Sequence, residues 1–350
     1  MKKSLLALGI LGAFAGVAQA QSAVQIYGTI DAGFIKRTDQ TLAIGKRANN
    51  TLGFKGTEDL GNGLKALFQL EIRYEPDTGT QENVTRPLFQ GQSRVGLQGD
   101  FGMVRLGRGL TAFQETSTLF EPWHGLPTPA GFQTDLTVAG YTSDPLSPAG
   151  NSSNRFSNAL FYNSAEFAGF QINTTIGTKE ANSGPALVGR GTTALPQYGA
   201  NAEATANPFS VTGTYKNGPV GAMLAVERNA VETRLWSIAG SVLTTPELKL
   251  MGSYTSQNRD HTALSNPKTK AWVLGANYTM GPGKVLAGYG QKSPDGFVKT
   301  KQFSLGYEYS LSKRTYLYVD ASVKDGNIVP ATPSLSTKVK FYDVGINHAF

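Results

Sequence analysis

The sequence predicts an all-β protein, a sixteen-stranded antiparallel transmembrane β-barrel, and three observations lead there. The chain ends in a strand: Tyr342, Val344, Ile346 and Phe350 alternate with Asp343, Gly345, Asn347 and Ala349, so one face is apolar and the other small or polar. Most chains end in a polar, frayed tail, whereas this one stops on an aromatic residue that completes the pattern. Beyond an export leader, the chain has no apolar run of the ~20 residues that a membrane helix needs. Short turns and long polar connections alternate along its length, the asymmetry of a barrel with short periplasmic turns and longer external loops.

The leader comes first. Met1-Lys2-Lys3 is a basic n-region, Ser4 to Val17 is a short uncharged apolar stretch, and Ala18-Gln19-Ala20 is an A-x-A cleavage site. Residues 1–20 are therefore expected to leave as a signal peptide, with residues 21–350 forming one barrel domain. Loss of Lys2 and Lys3 lowers the net charge from +7 to +5. The chain has no cysteine, so an exported protein of this size does without disulfides. Mean hydropathy is -0.22 and only 40% of residues are hydrophobic. A barrel accommodates both figures, because each strand needs apolar residues only at alternate positions, on its lipid face.

Several strands read clearly. Leu64, Ala66, Phe68, Leu70, Ile72 and Tyr74 alternate with Lys65, Leu67, Gln69, Glu71 and Arg73. Trp272, Leu274, Ala276, Tyr278 and Met280 alternate with Val273, Gly275, Asn277 and Thr279, and Phe303, Leu305, Tyr307 and Tyr309 with Gln302, Ser304, Gly306, Glu308 and Ser310. A large soluble sandwich also alternates, with its polar face outward, and the pattern alone does not separate the two.

Turn signals fall at Glu58–Gly63, Gly99–Gly102, Ser164–Gly169, Lys216–Val220, Thr244–Glu247, Met280–Gly283 and Ser310–Arg314. Longer polar connections fall at about 37–48, 76–87, 110–152, 179–207, 229–232, 258–267, 293–299 and 325–337. Seven turns and eight loops join sixteen strands and put both termini on the periplasmic side. The connection at 110–152 stands apart: it is far longer than most loops, rich in Pro and Gly, and carries Glu115, Glu121, Asp135 and Asp144. Its aromatics (Phe113, Phe120, Trp123, Phe132, Tyr141) suit a packed loop better than a solvated linker.

Val24-Gln25-Ile26-Tyr27-Gly28-Thr29-Ile30-Asp31-Ala32-Gly33 resembles the opening strand of the trimeric general porins of Gram-negative outer membranes. Leu52-Gly53-Phe54-Lys55-Gly56-Thr57-Glu58-Asp59-Leu60-Gly61-Asn62-Gly63-Leu64-Lys65-Ala66 resembles their second hairpin. Ser93-Arg94-Val95-Gly96-Leu97, Phe101-Gly102 with Leu106-Gly107-Arg108, Leu311-Ser312-Lys313-Arg314-Thr315 and the terminal Phe350 also match, in order, and look most like the beta-proteobacterial branch. The resemblance implies a homotrimer in the Gram-negative outer membrane, with a water-filled channel for passive diffusion of small hydrophilic solutes and ions. It implies a third external loop folded back into the lumen, its carboxylates facing an arginine ladder. Carried over by position, Arg94 and Arg155 match ladder arginines. Arg73 joins them on the face of Glu71, and Glu115, Glu121 and Asp135 are the loop candidates. Thr51 stands where the family often has an arginine. Phe350 resembles the signal read by barrel-assembly machinery, and lipid is the other implied partner.

Elementary electrostatics agrees with those roles. Opposed charges across a narrow aqueous lumen create a transverse field, and guanidinium groups favour phosphate and carboxylate solutes. Modest anion selectivity is the expectation. His124, His261 and His348 are too scattered for a metal site, no serine carries a nucleophile signature, and no phosphate-binding loop opens a helix. No enzyme, cofactor or metal is therefore expected. The basic residues are dispersed despite a pI of about 9.3, which argues against nucleic acid as a partner. A substrate-selective channel and a barrel that displays its loops as an adhesin or receptor remain the alternatives.

Overall fold

Every strand among the described residues belongs to a single antiparallel ladder system that returns on itself, apart from one two-residue strand that pairs locally. The structure, a computed structural model, describes residues 23–82, 87–146, 154–180, 206–258, 268–329 and 332–350. The expected leader, residues 1–20, and most of the 179–207 and 258–267 connections lie outside them.

The barrel opens with β1 (Ala23–Arg37), the short β2 (Ala43–Gly45), β3 (Thr51–Gly61), β4 (Leu64–Glu75) and the short β5 (Thr80–Gln81). Next come β6 (Gln92–Gly99), β7 (Gly102–Leu110), β8 (Arg155–Asn163), β9 (Phe170–Gly177), β10 (Phe209–Asn217) and β11 (Val220–Arg228). The second half holds β12 (Arg234–Leu243), β13 (Leu248–Asn258), β14 (Thr269–Met280), β15 (Gly283–Pro294), β16 (Thr300–Ser310), β17 (Thr315–Val329) and β18 (Thr332–Ala349). Without β2 and β5, sixteen strands form the closed wall, as the alternation of turns and loops predicts. All seven predicted turns join consecutive strands.

Closure rests on the terminal strand. β18 pairs with β1 in the register Thr29↔Ala349 to Arg37↔Phe341. The Gly28 N–H donates to the Phe350 carbonyl (3.2 Å) and the Phe350 N–H to the Gly28 carbonyl (3.0 Å). A Cβ on Gly28 would fall 2.4 Å from the Phe350 ring and 2.2 Å from the Thr51 carbonyl oxygen, so only glycine lets the terminal ring lie across β1.

The side-chain faces settle what periodicity leaves open. Phe303, Leu305, Tyr307 and Tyr309 are exposed while Gln302 and Ser304 are buried, and Tyr342, Val344 and Ile346 are exposed while Asp343 and Asn347 are buried. Apolar residues outside and polar residues inside invert the arrangement of a soluble sandwich and match a wall that faces lipid.

One connection differs from its sequence reading. Residues 325–337, expected as a loop, belong for the most part to β17 and β18, which extend to Val329 and from Thr332. Asp325-Gly326-Asn327 reads as a turn because of its composition. The register shift between Lys324 and Asn327 and the φ of +79° at Gly326 show a β-bulge instead, which bends the strand without ending it.

Residues 111–146, the described part of the long connection, are packed. Helix α1 (Ala112–Ser117) starts at Thr111, whose hydroxyl accepts from the Gln114 N–H (3.3 Å), and a 3-10 turn follows at Thr118–Phe120. Phe113, Phe120, Val138 and Tyr141 cluster with Met223, Ala225, Leu235 and Ala239, and Trp123, Phe132 and Leu136 with Val273, Leu286 and Phe341. Every one of these strand residues sits on the buried face of its strand.

Candidate functional site

Strand alternation concentrates arginines on one arc of the wall. Arg73 (β4), Arg94 (β6), Arg105 and Arg108 (β7) and Arg155 (β8) are all buried. Exposed Val95 and Leu106 fix the neighbouring positions: Arg94 pairs in register with Gly107, and Gly96 with Arg105, on the opposite face. Small partners make room for the long side chains. A Cβ on Gly96 would reach 2.9 Å from the Arg105 stem, and one on Gly109 would reach 3.0 Å from the Arg94 guanidinium.

Hydrogen bonds hold this arc in place. Arg94 Nη2 donates to Gln69 Oε1 (2.8 Å), Gln69 Nε2 donates to the Tyr27 hydroxyl (2.8 Å), and that hydroxyl donates to Glu71 Oε2 (3.2 Å). Arg155 Nε donates to the Gly91 carbonyl (2.6 Å), and Arg108 donates to the Gln90 carbonyl (3.1 Å) and the Ser157 hydroxyl (2.7 Å). Arg73 Nε lies 3.9 Å from Glu71 Oε1 and pairs across strands with Thr51. Phe161 separates two of the cations, its ring centre 5.4 Å from the Arg94 guanidinium and 5.9 Å from that of Arg105. The positive field is mutual: Arg155 feels Arg73, Arg108 and Arg94, and Arg94 feels Arg105.

The expected carboxylates take three different places. Glu115 is exposed on α1 and acts electrostatically on both Arg94 and Arg105, and Glu71 acts on Arg94 and Arg155 from the wall itself. Glu121, expected to face the arginines, is fully buried. Its carboxylate accepts from the backbone N–H groups of Trp123 (3.1 Å), Gly125 and Phe132 (3.5 Å), so it organises the loop tip from within. Burial pushes its carboxyl up to about 7, against the pull of those three donors and of Arg47. Asp135 lies away from the arginine arc, ion-paired with Lys292 of β15 and Lys324 of β17. Burial opposes its ionisation, but the two ammonium groups outweigh burial and hold it below the usual carboxylate range.

Further bonds anchor the long connection to the buried face. Gln302 Nε2 donates to the carbonyls of Pro129 (3.0 Å), Ala130 (3.2 Å) and Gly131 (3.0 Å). Thr255 donates to the Thr137 carbonyl (2.7 Å), Gln257 to the Ala139 carbonyl (2.6 Å), and Thr111 to Glu227 Oε2 (2.7 Å). The Trp123 indole N–H donates to Asp320 Oδ1 (3.0 Å). Asp320 also binds Arg47 Nε (2.7 Å), Arg47 donates to Glu308 (2.6 Å), and its guanidinium lies 4.9 Å from the Tyr318 ring centre. Two external connections therefore meet at one carboxylate.

Sequence reasoning missed Arg105, Arg108, Arg47 and Asp320. Arg105 was accessible: Val104 and Leu106 read as one face, which leaves Arg105 on the other. Arg47 carries no such signal, because it sits in a polar connection whose fold depends on partners 261 and 273 residues away.

Comparison with known proteins agrees with this architecture. The sequence profile of the family described as Gram-negative porin matches residues 6–328. The chain is similar to outer membrane porin protein 32 of Delftia acidovorans, 31% identical over 91% of this chain and 88% of that protein. Among solved structures, it resembles an anion-selective porin from Comamonas acidovorans, with a TM-score of 0.74 and 24% identity over 94% of this chain and all of the other. It also resembles OmpT of Vibrio cholerae in a trimer form, with a TM-score of 0.63 and 14% identity over 94% of this chain and 99% of the other. At such identities the two structural likenesses carry the fold.

Proposed function

The chain belongs to the Gram-negative porin family, and from that premise we propose that it is an anion-preferring general-diffusion porin whose long third connection constricts the lumen. Porins reside in the outer membrane and pass small hydrophilic solutes and ions without chemical change. The arc of Arg73, Arg94, Arg105, Arg108 and Arg155, with exposed Glu115 set against it, is the observation that carries the preference. Guanidinium groups stay ionised and offer paired donors, so a hydrated anion passing the arc exchanges water for fixed donors at little cost, while a cation meets like charge. The carboxylates that oppose this field are Glu115 and Glu71. Glu121 and Asp135 act on the position of the loop.

The loop's anchoring to inward residues of β10 to β18 supports the constriction reading. By analogy with relatives, the unit is a homotrimer. Phe350 serves assembly, as the residue recognised by barrel-assembly machinery and the last to pair with β1. Reversal potential in a KCl gradient across a planar bilayer tests the preference. Anion selectivity is the expected result, and a cation-selective channel overturns the charge assignment.

A further inference from the structure

One recess in the inner wall belongs neither to the constriction chain of hydrogen bonds nor to the seat of the long connection. It lies toward the turn end of β3, β4 and β7, holds about 350 Å³, and is lined chiefly by Gln25, Lys55, Leu67, Gln69, Met103 and Arg105. That volume falls within the range of small-molecule sites. Register places the lining side chains together: Lys55 pairs with Gln25 on one side and with Gln69 on the other, and Thr57 pairs with Leu67. Gly96 pairs with both Leu67 and Arg105 and contributes only backbone, which leaves the space between them open.

Two features set this recess apart from an ordinary stretch of polar lumen. Its floor is apolar and uncovered. Met223, Leu235, Val273, Leu286 and Phe341 also point inward, but they are buried in clusters with residues of the long connection. Leu67 and Met103 belong to neither cluster, are only half-buried, and keep part of their surface open to the lumen. The cations beside that floor also have donors to spare. Lys55 is exposed, its ammonium lies 5.0 Å from the Tyr27 ring centre, and it forms no ion pair with a described residue. Arg105 donates through Nη2 to Asn163 Oδ1, while its buried Nε has no hydrogen-bond partner among the described residues. An apolar floor between two under-used cations suits an anion that carries an apolar body.

We propose that this recess is a binding site for aromatic carboxylates. The ring rests on Leu67 and Met103, whose thioether makes favourable contacts with aromatic edges, and the carboxylate lies in the field of Lys55 and Arg105. A small inorganic anion is drawn by the same cations but leaves the apolar floor wet, and a neutral arene covers the floor but leaves both cations without a counter-charge. A rigid ring also loses less conformational freedom on binding than an alkyl chain of similar area. The proposal rests on the porin reading only for the entry of solute into the lumen.

The test records KCl current through the folded full-length protein in planar bilayers, at neutral pH, while benzoate, acetate or benzamide is added. Each variant is measured against its own unblocked current. Benzoate should half-block at a concentration roughly tenfold below that of acetate, and benzamide should block no better than acetate. Leu67→Asn combined with Met103→Gln should raise the benzoate value to that of acetate, and Lys55→Gln should raise it several-fold. Leu67→Met combined with Met103→Leu keeps an apolar floor and should leave the benzoate value unchanged. Equal half-blocking by benzoate and acetate in the wild type, or a benzoate value unmoved by Leu67→Asn with Met103→Gln, overturns the proposal. Reversal potential on the same channels judges the anion preference separately, because the gap between benzoate and acetate does not depend on its sign.

Discussion

Trp123→Ala is the sharpest single perturbation of the proposed constriction. Trp123 is 1% exposed, packs its ring 5.8 Å from that of Phe132, and donates its indole N–H to Asp320. Truncating a buried tryptophan to alanine costs about 3–5 kcal/mol, through lost transfer energy and the cavity left behind. The lost hydrogen bond adds little, because Arg47 Nε and Nη2 still satisfy Asp320. A loss of ~4 kcal/mol lowers the docked-to-undocked ratio of the loop tip by about a thousandfold. The barrel itself should survive, since Trp123 belongs to no strand and contributes no ladder hydrogen bond. In planar bilayers the variant should show higher unitary conductance and a noisier open level, and liposome swelling should admit larger sugars. Trp123→Phe keeps one six-membered aromatic ring and loses the rest of the indole with its N–H, so it leaves a smaller cavity and should move these readouts less. If Trp123→Ala folds and assembles normally with conductance, noise and swelling cutoff all unchanged, the tip lies outside the conduction path and the reasoning fails.

Four further outcomes follow from the charges and from the terminal strand. Arg94→Gln with Arg105→Gln should shift the reversal potential toward cations, and Glu115→Gln should shift it toward anions. Glu121→Gln should change selectivity little, because the carboxylate is enclosed. It should change the pH response of the loop instead. The Glu121 carboxyl is raised to about 7 in the folded state, so protonation stabilises the docked tip below the ordinary value near 4.5, and that contribution is lost as pH rises through 7. Open-channel noise in the wild type should therefore grow between pH 5 and 8, and the growth should flatten in Glu121→Gln. Deleting Phe350, or Gly28→Val, should lower the yield of heat-resistant folded trimer on gels, since each breaks the closing contact between β1 and β18; normal yield in both would remove Phe350 from assembly.

The barrel was legible in the sequence because its rules are local. Alternation in segments such as Phe303–Tyr309 and seven turn signals fix strand number and order without reference to any distant residue. What alternation could not give was direction, because a polar face inside a lumen and a polar face in solvent have the same period. Only the closed sheet, with Phe303 outside and Ser304 inside, decides it. The 325–337 stretch misleads for a related reason: Asp-Gly-Asn encodes positive φ, and a turn and a bulge both use it.

The site was legible only where wall register determines it. Arg73, Arg94 and Arg155 are strand residues or strand ends, so their facing follows from their neighbours. Loop carboxylates have no such constraint, and Glu115, Glu121 and Asp135 look alike on paper. Their fates are set by partners far along the chain: arginines on β6 and β7 for Glu115, three backbone N–H groups of its own tip for Glu121, and lysines on β15 and β17 for Asp135. A carboxylate that leaves water must be neutralised by donors or cations, and the one left exposed is the one still able to act on a passing ion. Among the three, that argument selects Glu115 for the field and assigns Glu121 and Asp135 to holding the loop that carries it.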